Sequence, residues 1–326
     1  MLNVCGAKKY VLLILIFTML LAHPLGVLAA QDLTETGGGA MTWWYWPIIL
    51  FVFCFGLGII AVLAGVGGGV LYVPLISGFF PFHIDFVRGA GLMVALAGAL
   101  AAGPGLLRRN MASLRLALPV ALVASSFSII GAMLGLYLSK LNPDIVLACL
   151  GTTIIGIAFL ILFSKNTEKP VVTKQDAVGL ALGLHGSFLD MSNDERIDWK
   201  THRTLLGLVM FIFVGLLAGM FGLGAGWANI PVLNLIMGVP LKISVATSKF
   251  LLSITDTSAA WIYLNRGCVI PLIAVPSIIG LMFGSFVGVR LLAIIKPKYI
   301  RYMVIAVLFF AGLKALDKGL GLDLLG

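Results

Sequence analysis

The feature that most constrains this sequence is a series of long apolar segments separated by short polar connections. A helix needs about 20 residues to cross a bilayer, and most of these segments are near that length. Their apolar residues are continuous and do not alternate, which favours helices over a β-barrel. The sequence therefore predicts an all-α integral membrane protein with about eight transmembrane helices plus short re-entrant half-helices. The segments are 44–64, 70–80, 87–107, 116–139, 144–163, 204–222, 227–238, 244–264, 269–292 and 299–316.

Composition excludes most other classes of protein. Of the 326 residues, 60% are hydrophobic and 11% are charged, whereas a soluble domain carries about 25% charged residues. The net charge of +9 lies mainly in the connections and lacks the basic and aromatic arrays that bind nucleic acid, so we expect the lipid bilayer as a partner and no nucleic acid. The sequence has no Walker motif, dinucleotide fingerprint or metal-ligand pattern. It therefore predicts no enzyme, no cofactor and no metal.

The N-terminal segment 1–42 resembles a signal peptide. Lys8 and Lys9 precede an apolar run, and small residues at 27–30 could form a cleavage site. An uncleaved first helix is the alternative, and both interpretations place the lysines in the cytoplasm. The aromatic cluster at 43–46 is typical of a membrane interface at the start of the next helix.

The two halves of the chain repeat one pattern. The stretch GVGGGVLYVPL at 65–75 corresponds to GLGAGWANIPV at 222–232. Ordered matches of glycine, proline and arginine across a whole half indicate internal duplication. They predict a first repeat at 43–164, a cytoplasmic linker at 165–203 and a second repeat at 204–326. Further matches are Arg109 with Arg266, Gly131 with Gly284, and Gly135 with Gly288.

Positive charges predict the orientation of the repeats. If the short segments 70–80 and 227–238 turn back at the glycines, most basic residues of the connections face the cytoplasm, as the positive-inside rule requires. Each half then crosses the membrane an odd number of times, so the repeats are inverted, as in many secondary transporters. Lys314 and Lys318 are exceptions, because this topology places them outside.

The glycine clusters are the strongest candidates for a binding site. Gly67, Gly68 and Gly69 can adopt backbone geometries that other residues resist, and a helix that starts after them offers free N–H groups and a dipole to an anion. The second half repeats this pattern with Gly224, Ala225 and Gly226. Each cluster is followed by a helix-breaking proline, Pro74 or Pro231. Close helix packing is the alternative use of these glycines.

Polar residues in segment 244–264 and beside the second cluster complete the predicted site. Thr247, Ser248 and Asn229 could donate hydrogen bonds to an oxyanion, and Lys249 could supply positive charge. Asp256 lies seven residues after Lys249, on the same helical face, and could carry a coupling proton. Ionisable residues inside such a segment suggest function, although a snorkelling lysine and a structural carboxylate are the alternatives.

Arg88 lies near the start of its apolar segment, where an interfacial anchor is the simplest interpretation. The first half therefore offers no clear counterpart to the Thr247–Lys249 group.

The repeated glycine motif resembles the TauE/SafE family of membrane transporters. The stretches GLGAGWANIPVL (222–233), GVPLKISVATSKFL (238–251) and YLNRG (263–267) are similar to that family's second-half signature. The resemblance covers about residues 45–315 and implies a permease of the cytoplasmic membrane for sulfite, sulfonates or other small sulfur-containing anions.

These observations predict a secondary transporter that moves a small anion across the cell membrane by alternating access. A passive anion channel, and a membrane-embedded sensor with the 165–203 loop as its output, remain alternatives. The direction of transport, a proton or sodium ion as coupling partner and a homo-oligomer stay open.

Overall fold

The computed structural model describes residues 45–64, 67–80, 82–108, 113–163, 170, 175–190, 195–292 and 297–321. The predicted signal peptide or first helix at 1–42 lies outside the described residues, as do Gly65, Val66, Arg109 and Asn110 of the repeated pattern.

The described parts of both halves contain five helices in the same order, at the positions of the predicted apolar segments. In the first half these are α1 (Tyr45–Ala64), α2 (Gly68–Phe79), α3 (Ile84–Arg108), α4 (Leu114–Leu141) and α5 (Pro143–Phe163). In the second half they are α7 (Thr204–Phe221), α8 (Gly226–Pro231), which continues as a π-helical turn (Val232–Ile236), α9 (Leu241–Asn265), α10 (Pro271–Leu292) and α11 (Pro297–Leu320).

Four of the described helices are long and apolar enough to cross a membrane: α4, α5, α7 and residues Pro271–Gly288 of α10. Helices α1 and α2 contain shorter apolar stretches. Helices α3 and α9 each have 25 residues, which at 1.5 Å per residue also exceeds the thickness of the hydrocarbon core. The total of about eight spans stays a prediction.

Helices of one half pack against helices of the other in a reciprocal way. Helix α1 packs against α10, and its counterpart α7 packs against α4, while α3 packs against α9 and α5 against α11. The matched glycines lie in these contacts. A Cβ on Gly131 would lie 2.9 Å from Cα of Leu216 in α7, and a Cβ on Gly284 would lie 3.1 Å from Cα of Gly58 in α1. Small residues let the helix backbones approach this closely.

The linker is more structured than the sequence predicts. Besides a short helix α6 (Ala177–Ala181), it contains an antiparallel hairpin of β1 (His185–Asp190) and β2 (Glu195–Lys200). Leu184 and Trp199 are buried in the same apolar cluster as residues of α4, α7 and α9. These two strands are an exception to the all-α prediction, and their pairing satisfies the backbone of this polar segment.

Asp176 of the linker fixes the start of α7. Its carboxylate accepts hydrogen bonds from the backbone N–H of Thr204 at 3.0 Å and from the Thr204 hydroxyl at 2.7 Å. The first N–H groups of a helix have no partner within the helix, so this side chain acts as a distant cap that attaches the linker to the second half.

Candidate functional site

Each half has a break between its first two helices, and glycine geometry explains both. Gly67, which precedes α2, has φ 95° and ψ 147°. Gly222 and Gly224, between α7 and α8, have φ of 68° and 72°. These backbone conformations are open to glycine and unfavourable for residues with a Cβ atom. Ala225 has φ −84°, which is why the second half tolerates alanine where the first has Gly68.

The chain turns back at each break. In the second half, the N–H of His202, just before α7, donates to the carbonyl of Met237, just after the π-helical turn, at 3.0 Å. In the first half, the ring of Trp46 at the start of α1 lies 5.1 Å from the ring of Phe82, just after α2. Both segments therefore leave and return to the same end of their first helix, as the re-entrant prediction requires.

The prolines do not form the breaks. Helix α2 continues through Pro74 to Phe79, so the predicted helix break at Pro74 is wrong. Proline in that position removes one backbone N–H but already has a helical φ. Pro231 ends α8, and the π-helical turn follows directly. Such π turns are frequent at functional sites.

The two breaks meet. A Cβ on Gly69 would lie 2.6 Å from the carbonyl oxygen of Leu223, in the second break, and 3.0 Å from Cβ of Ala95. A Cβ on Gly91 in α3 would lie 2.8 Å from the carbonyl oxygen of Gly222. The backbones are therefore in direct contact, which only glycine permits here.

Some of the predicted glycines lie in close helix contacts, whereas one has open space beside it. A Cβ on Gly68 would lie 2.6 Å from the Leu281 side chain, so Gly68, like Gly69, serves close packing. A Cβ on Gly67, in contrast, would have no described atom within 4 Å. Gly224 faces Asp256, whose Oδ2 would lie 3.0 Å from its Cβ.

Helix α9 presents a buried polar face. Thr247, Ser248, Thr255 and Asp256 are all at most 1% exposed, whereas Lys249 is partly exposed. The hydroxyl of Thr247 accepts a hydrogen bond at 3.2 Å from the backbone N–H that precedes α4. Thr247 therefore has a structural partner, which weakens its prediction as a ligand.

Among the described residues, six of the nine buried side-chain nitrogen and oxygen atoms without a hydrogen-bond partner belong to α8 and α9, beside the second break; the other three are Arg88 Nε, Ser139 Oγ and His202 Nδ1. Asn229 is 1% exposed, and neither its amide nitrogen nor its amide oxygen finds a hydrogen-bond partner among the described residues. The same holds for the indole N–H of Trp227, the hydroxyl of Thr255 and both carboxylate oxygens of Asp256. These residues lie on α8 and α9, which pack against each other. Unsatisfied buried polar groups are costly and rare, so this cluster is the strongest candidate for a ligand site.

Among the described residues of the first half, the buried side-chain atoms without a partner are Arg88 Nε on α3 and Ser139 Oγ on α4, and none is on α2, the counterpart of α8. Tyr72 occupies the position that matches Asn229, and its hydroxyl lies 3.2 Å from the Ser277 hydroxyl. Ser277 in turn donates to the carbonyl of Ile273 at 2.7 Å. The polar contribution to the candidate site is therefore one-sided, which the sequence pattern did not show.

Arg88 is not an interfacial anchor. It is fully buried, and its guanidinium donates to the carbonyl of Met220 at 2.8 Å and pairs with Asp85. It also lies over the ring of Tyr263, 5.8 Å from the ring centroid. The Met220 carbonyl belongs to the last turn of α7, where a cation also complements the helix dipole. Arg88 thus fixes α3 to the end of α7, just before the second break.

Lys314 and Lys318, the exceptions to the positive-inside rule, contact the end of helix α2. Lys318 donates to the carbonyl of Ser77 at 3.0 Å, and the ammonium of Lys314 lies 4.5 Å from the ring centroid of Phe79. Both contacts are in the last turn of α2, where cations are favourable. These two lysines therefore stabilise the end of a half-helix.

A family model described as sulfite exporter TauE/SafE matches residues 48–315. The chain belongs to the TauE/SafE family. The match includes both glycine breaks and the whole candidate site.

Curated relatives cover the same range. The chain is 25% identical to the probable membrane transporter protein YunE of Bacillus subtilis, over 84% of this chain and 98% of that protein. It is also 25% identical to the probable membrane transporter protein MJ0441 of Methanocaldococcus jannaschii, over 81% of this chain and 93% of that protein. No solved structure matches the chain.

The family membership and the long apolar helices together identify this chain as a multi-pass transporter of the cell membrane. The family description and the names of the relatives refer to transport and not to catalysis.

Proposed function

We propose that the protein is a secondary transporter that moves a small, sulfur-containing anion such as sulfite or a sulfonate by alternating access. In this proposal the repeats 43–164 and 204–326 are inverted in the membrane, and the linker 165–203 lies in the cytoplasm. The reciprocal packing of the two halves supports this arrangement, since two repeats related by a twofold axis pack in this way.

The observation that carries the proposal is the unpartnered polar cluster beside the second break. The Trp227 indole N–H and the Asn229 amide are neutral donors in a buried position. Charge-assisted hydrogen bonds from neutral donors to an oxyanion are among the strong ones. A sulfite or sulfonate group has three oxygens and can accept several such bonds at once.

The remaining site residues take different roles in the proposal. Gly67 offers open space, Gly224 and Ala225 precede α8, and Gly226 is its first residue, so their amides are candidate contacts to the anion. Ser248 lies on the buried face of α9, and the partly exposed Lys249 attracts the anion toward that face. Gly68, Gly69 and Thr247 act by holding the helices together.

Uptake into proteoliposomes tests this proposal. A labelled panel of sulfite, sulfate, thiosulfate, sulfonates and small carboxylates should include an anion with saturable uptake and counterflow. An unsaturated, ohmic current would favour a channel instead. Uptake of a cation with no uptake of any anion would contradict the proposal.

Two conservative variants test the site itself. Asn229→Ala and Trp227→Phe each remove a buried donor, and we expect the affinity for the anion to fall by about 10- to 150-fold, because a hydrogen bond to a charged group contributes about 1.5–3 kcal/mol. Asn265→Ala and Trp261→Phe are matched controls, since both residues are exposed on α9. Equal affinities for the site variants and the controls would remove the cluster from the site.

A further inference from the structure

Asp256 is a buried carboxyl group with no hydrogen bond and no salt bridge among the described residues. It is fully buried near the middle of α9, and neither oxygen finds a hydrogen-bond partner in the described part of the chain. The backbone amide of Ala225 lies near it, but outside hydrogen-bond geometry. A Cβ on Gly224 would lie 3.0 Å from both Asp256 Oδ2 and the methyl group of Ala95. The carboxyl group is thus enclosed between α9, α3 and the second break.

The helices packed against α9 supply no salt-bridge partner for Asp256 among the described residues. Helix α7, helix α8 and the π-helical turn contain no ionisable residues. The charged residues of α4 lie near its ends, namely Arg115 and Lys140, which are exposed. Helix α3 contributes Asp85 and Arg88, which are paired with each other, and Arg108 at its last residue.

Helix α9 itself contributes three further titratable residues. Lys242 is exposed one residue after the helix start, and the hydroxyl of Tyr263 donates to the carbonyl of Gly219. Lys249 lies two turns before Asp256, about 10 Å along the helix axis. No salt bridge joins Lys249 to Asp256 within the described residues.

An ionised carboxylate in such a position is strongly unfavourable, so it must be neutral or bind a cation. A metal ion needs several oxygen, nitrogen or sulfur ligands. Among the residues that the structure describes, no group of three His, Cys, Asp or Glu could hold a transition metal, and a sodium ion would need carbonyl or hydroxyl oxygens arranged around the carboxyl group. Ala95 and the glycine turn also occupy the space beside the carboxyl group. A proton needs no ligand shell and fits this enclosure.

We propose that Asp256 holds a proton while α9 is packed on the second glycine break, and that this proton is transported together with the anion. The proton comes from water on one side of the membrane and binds one carboxylate oxygen. It returns to water on the other side when α9 and the break separate and the carboxylate becomes hydrated. This inference rests on the proposed function, because it adds the coupling ion to the same site.

Coupling follows from the position of the carboxyl group. Ionised Asp256 favours separation of α9 from the break, where water can solvate it, and it repels an anion at Asn229 and Trp227 on α8. Protonated Asp256 favours the packed arrangement and accepts the anion. Proton binding and anion binding therefore stabilise the same state, which is the thermodynamic requirement for coupling.

The experiment compares initial uptake of the transported anion with and without an inward proton gradient in proteoliposomes. In the wild type we expect the gradient to stimulate uptake. In Asp256→Asn we expect this stimulation to be lost, because the amide cannot exchange a proton. Asp198→Asn, the same change at an exposed linker position, should keep the wild-type response.

The outcomes separate the two proposals. If Asp256→Asn keeps the wild-type response to the proton gradient, the inference fails while the proposed function stands. Stimulation of the wild type by a sodium gradient and not by a proton gradient also overturns the inference. If the wild type shows no counterflow of any anion, the proposed function itself fails.

A second measurement does not depend on the variant. Hydrogen exchange of the wild type, corrected for intrinsic rates, should show that protection of residues 222–231 falls as the pH rises, because ionised Asp256 opens the break. Protection that is independent of pH would overturn the inference even if Asp256→Asn does not fold.

Discussion

Replacing Gly69 by alanine tests the contact between the two breaks. The new Cβ would lie 2.6 Å from the carbonyl oxygen of Leu223, 3.0 Å from Cβ of Ala95 and 3.1 Å from the carbonyl oxygen of Gly91. The shortest comfortable C···O distance is about 3.3 Å, so the breaks must separate by about 0.7 Å. Two of these neighbours are backbone atoms, which cannot rotate away.

The expected cost follows from this geometry. Overpacking of this kind costs about 1–3 kcal/mol, and the higher helix propensity of alanine offsets at most about 1 kcal/mol of it. We expect Gly69→Ala to lower the melting temperature in nanodiscs by a few degrees, since about 1 kcal/mol corresponds to 2–4 °C in a domain of 150–250 residues. Counterflow should fall as well, because the proposed anion site lies where the two breaks meet.

Gly156→Ala is the matched control. Gly156 is exposed in the interior of α5, and a Cβ there would have no described atom within 4 Å. The same substitution should leave stability and transport unchanged or slightly raise stability. If Gly69→Ala and Gly156→Ala gave the same melting temperature and the same counterflow, the close contact between Gly69 and the Leu223 carbonyl would be refuted.

Two further variants test the elements that hold the site. Arg88→Leu leaves the Asp85 carboxylate without its arginine partner and removes one of the two donors to the Met220 carbonyl, which keeps the Tyr263 hydroxyl at 3.2 Å. We expect a loss of about 3–5 kcal/mol, seen as a low yield of monodisperse protein; a wild-type yield and melting temperature would contradict a stabilising role of Arg88 between α3 and α7. Asp176→Ala removes the carboxylate that accepts from the Thr204 N–H and hydroxyl. It should cost about 1 kcal/mol, with faster hydrogen exchange at the start of α7, whereas Asp198→Ala should change nothing.

The positions of the helices and of their breaks could be read from the sequence. Continuous apolar runs fix the helices, because a lipid-embedded backbone must satisfy its own hydrogen bonds. Glycines at 67, 222 and 224 fix the breaks, because only glycine readily adopts positive φ at those points. Pro74 was misleading, since proline resembles a helix break in sequence but is accommodated within α2.

The linker hairpin and the Trp227 indole N–H could not be recognised from local sequence. Strands β1 and β2 are short and polar. They are stabilised by pairing with each other and by burial of Trp199. Trp227 was missed as a candidate ligand because tryptophan in an apolar segment resembles core. The available signal was its position directly after the second glycine cluster, where the first half has valine.

The sequence by itself determined the membrane class, the duplication, the two breaks and the candidates Asn229 and Asp256, since each depends on local composition and spacing. Only the tertiary structure decided which polar groups are already satisfied. Arg88 is bonded to a carbonyl 132 positions away, and Tyr72 to a hydroxyl 205 positions away, while Asn229 and Asp256 have no partner within the described residues. Hydrogen bonding between distant segments depends on how helices pack, and local sequence contains no record of it.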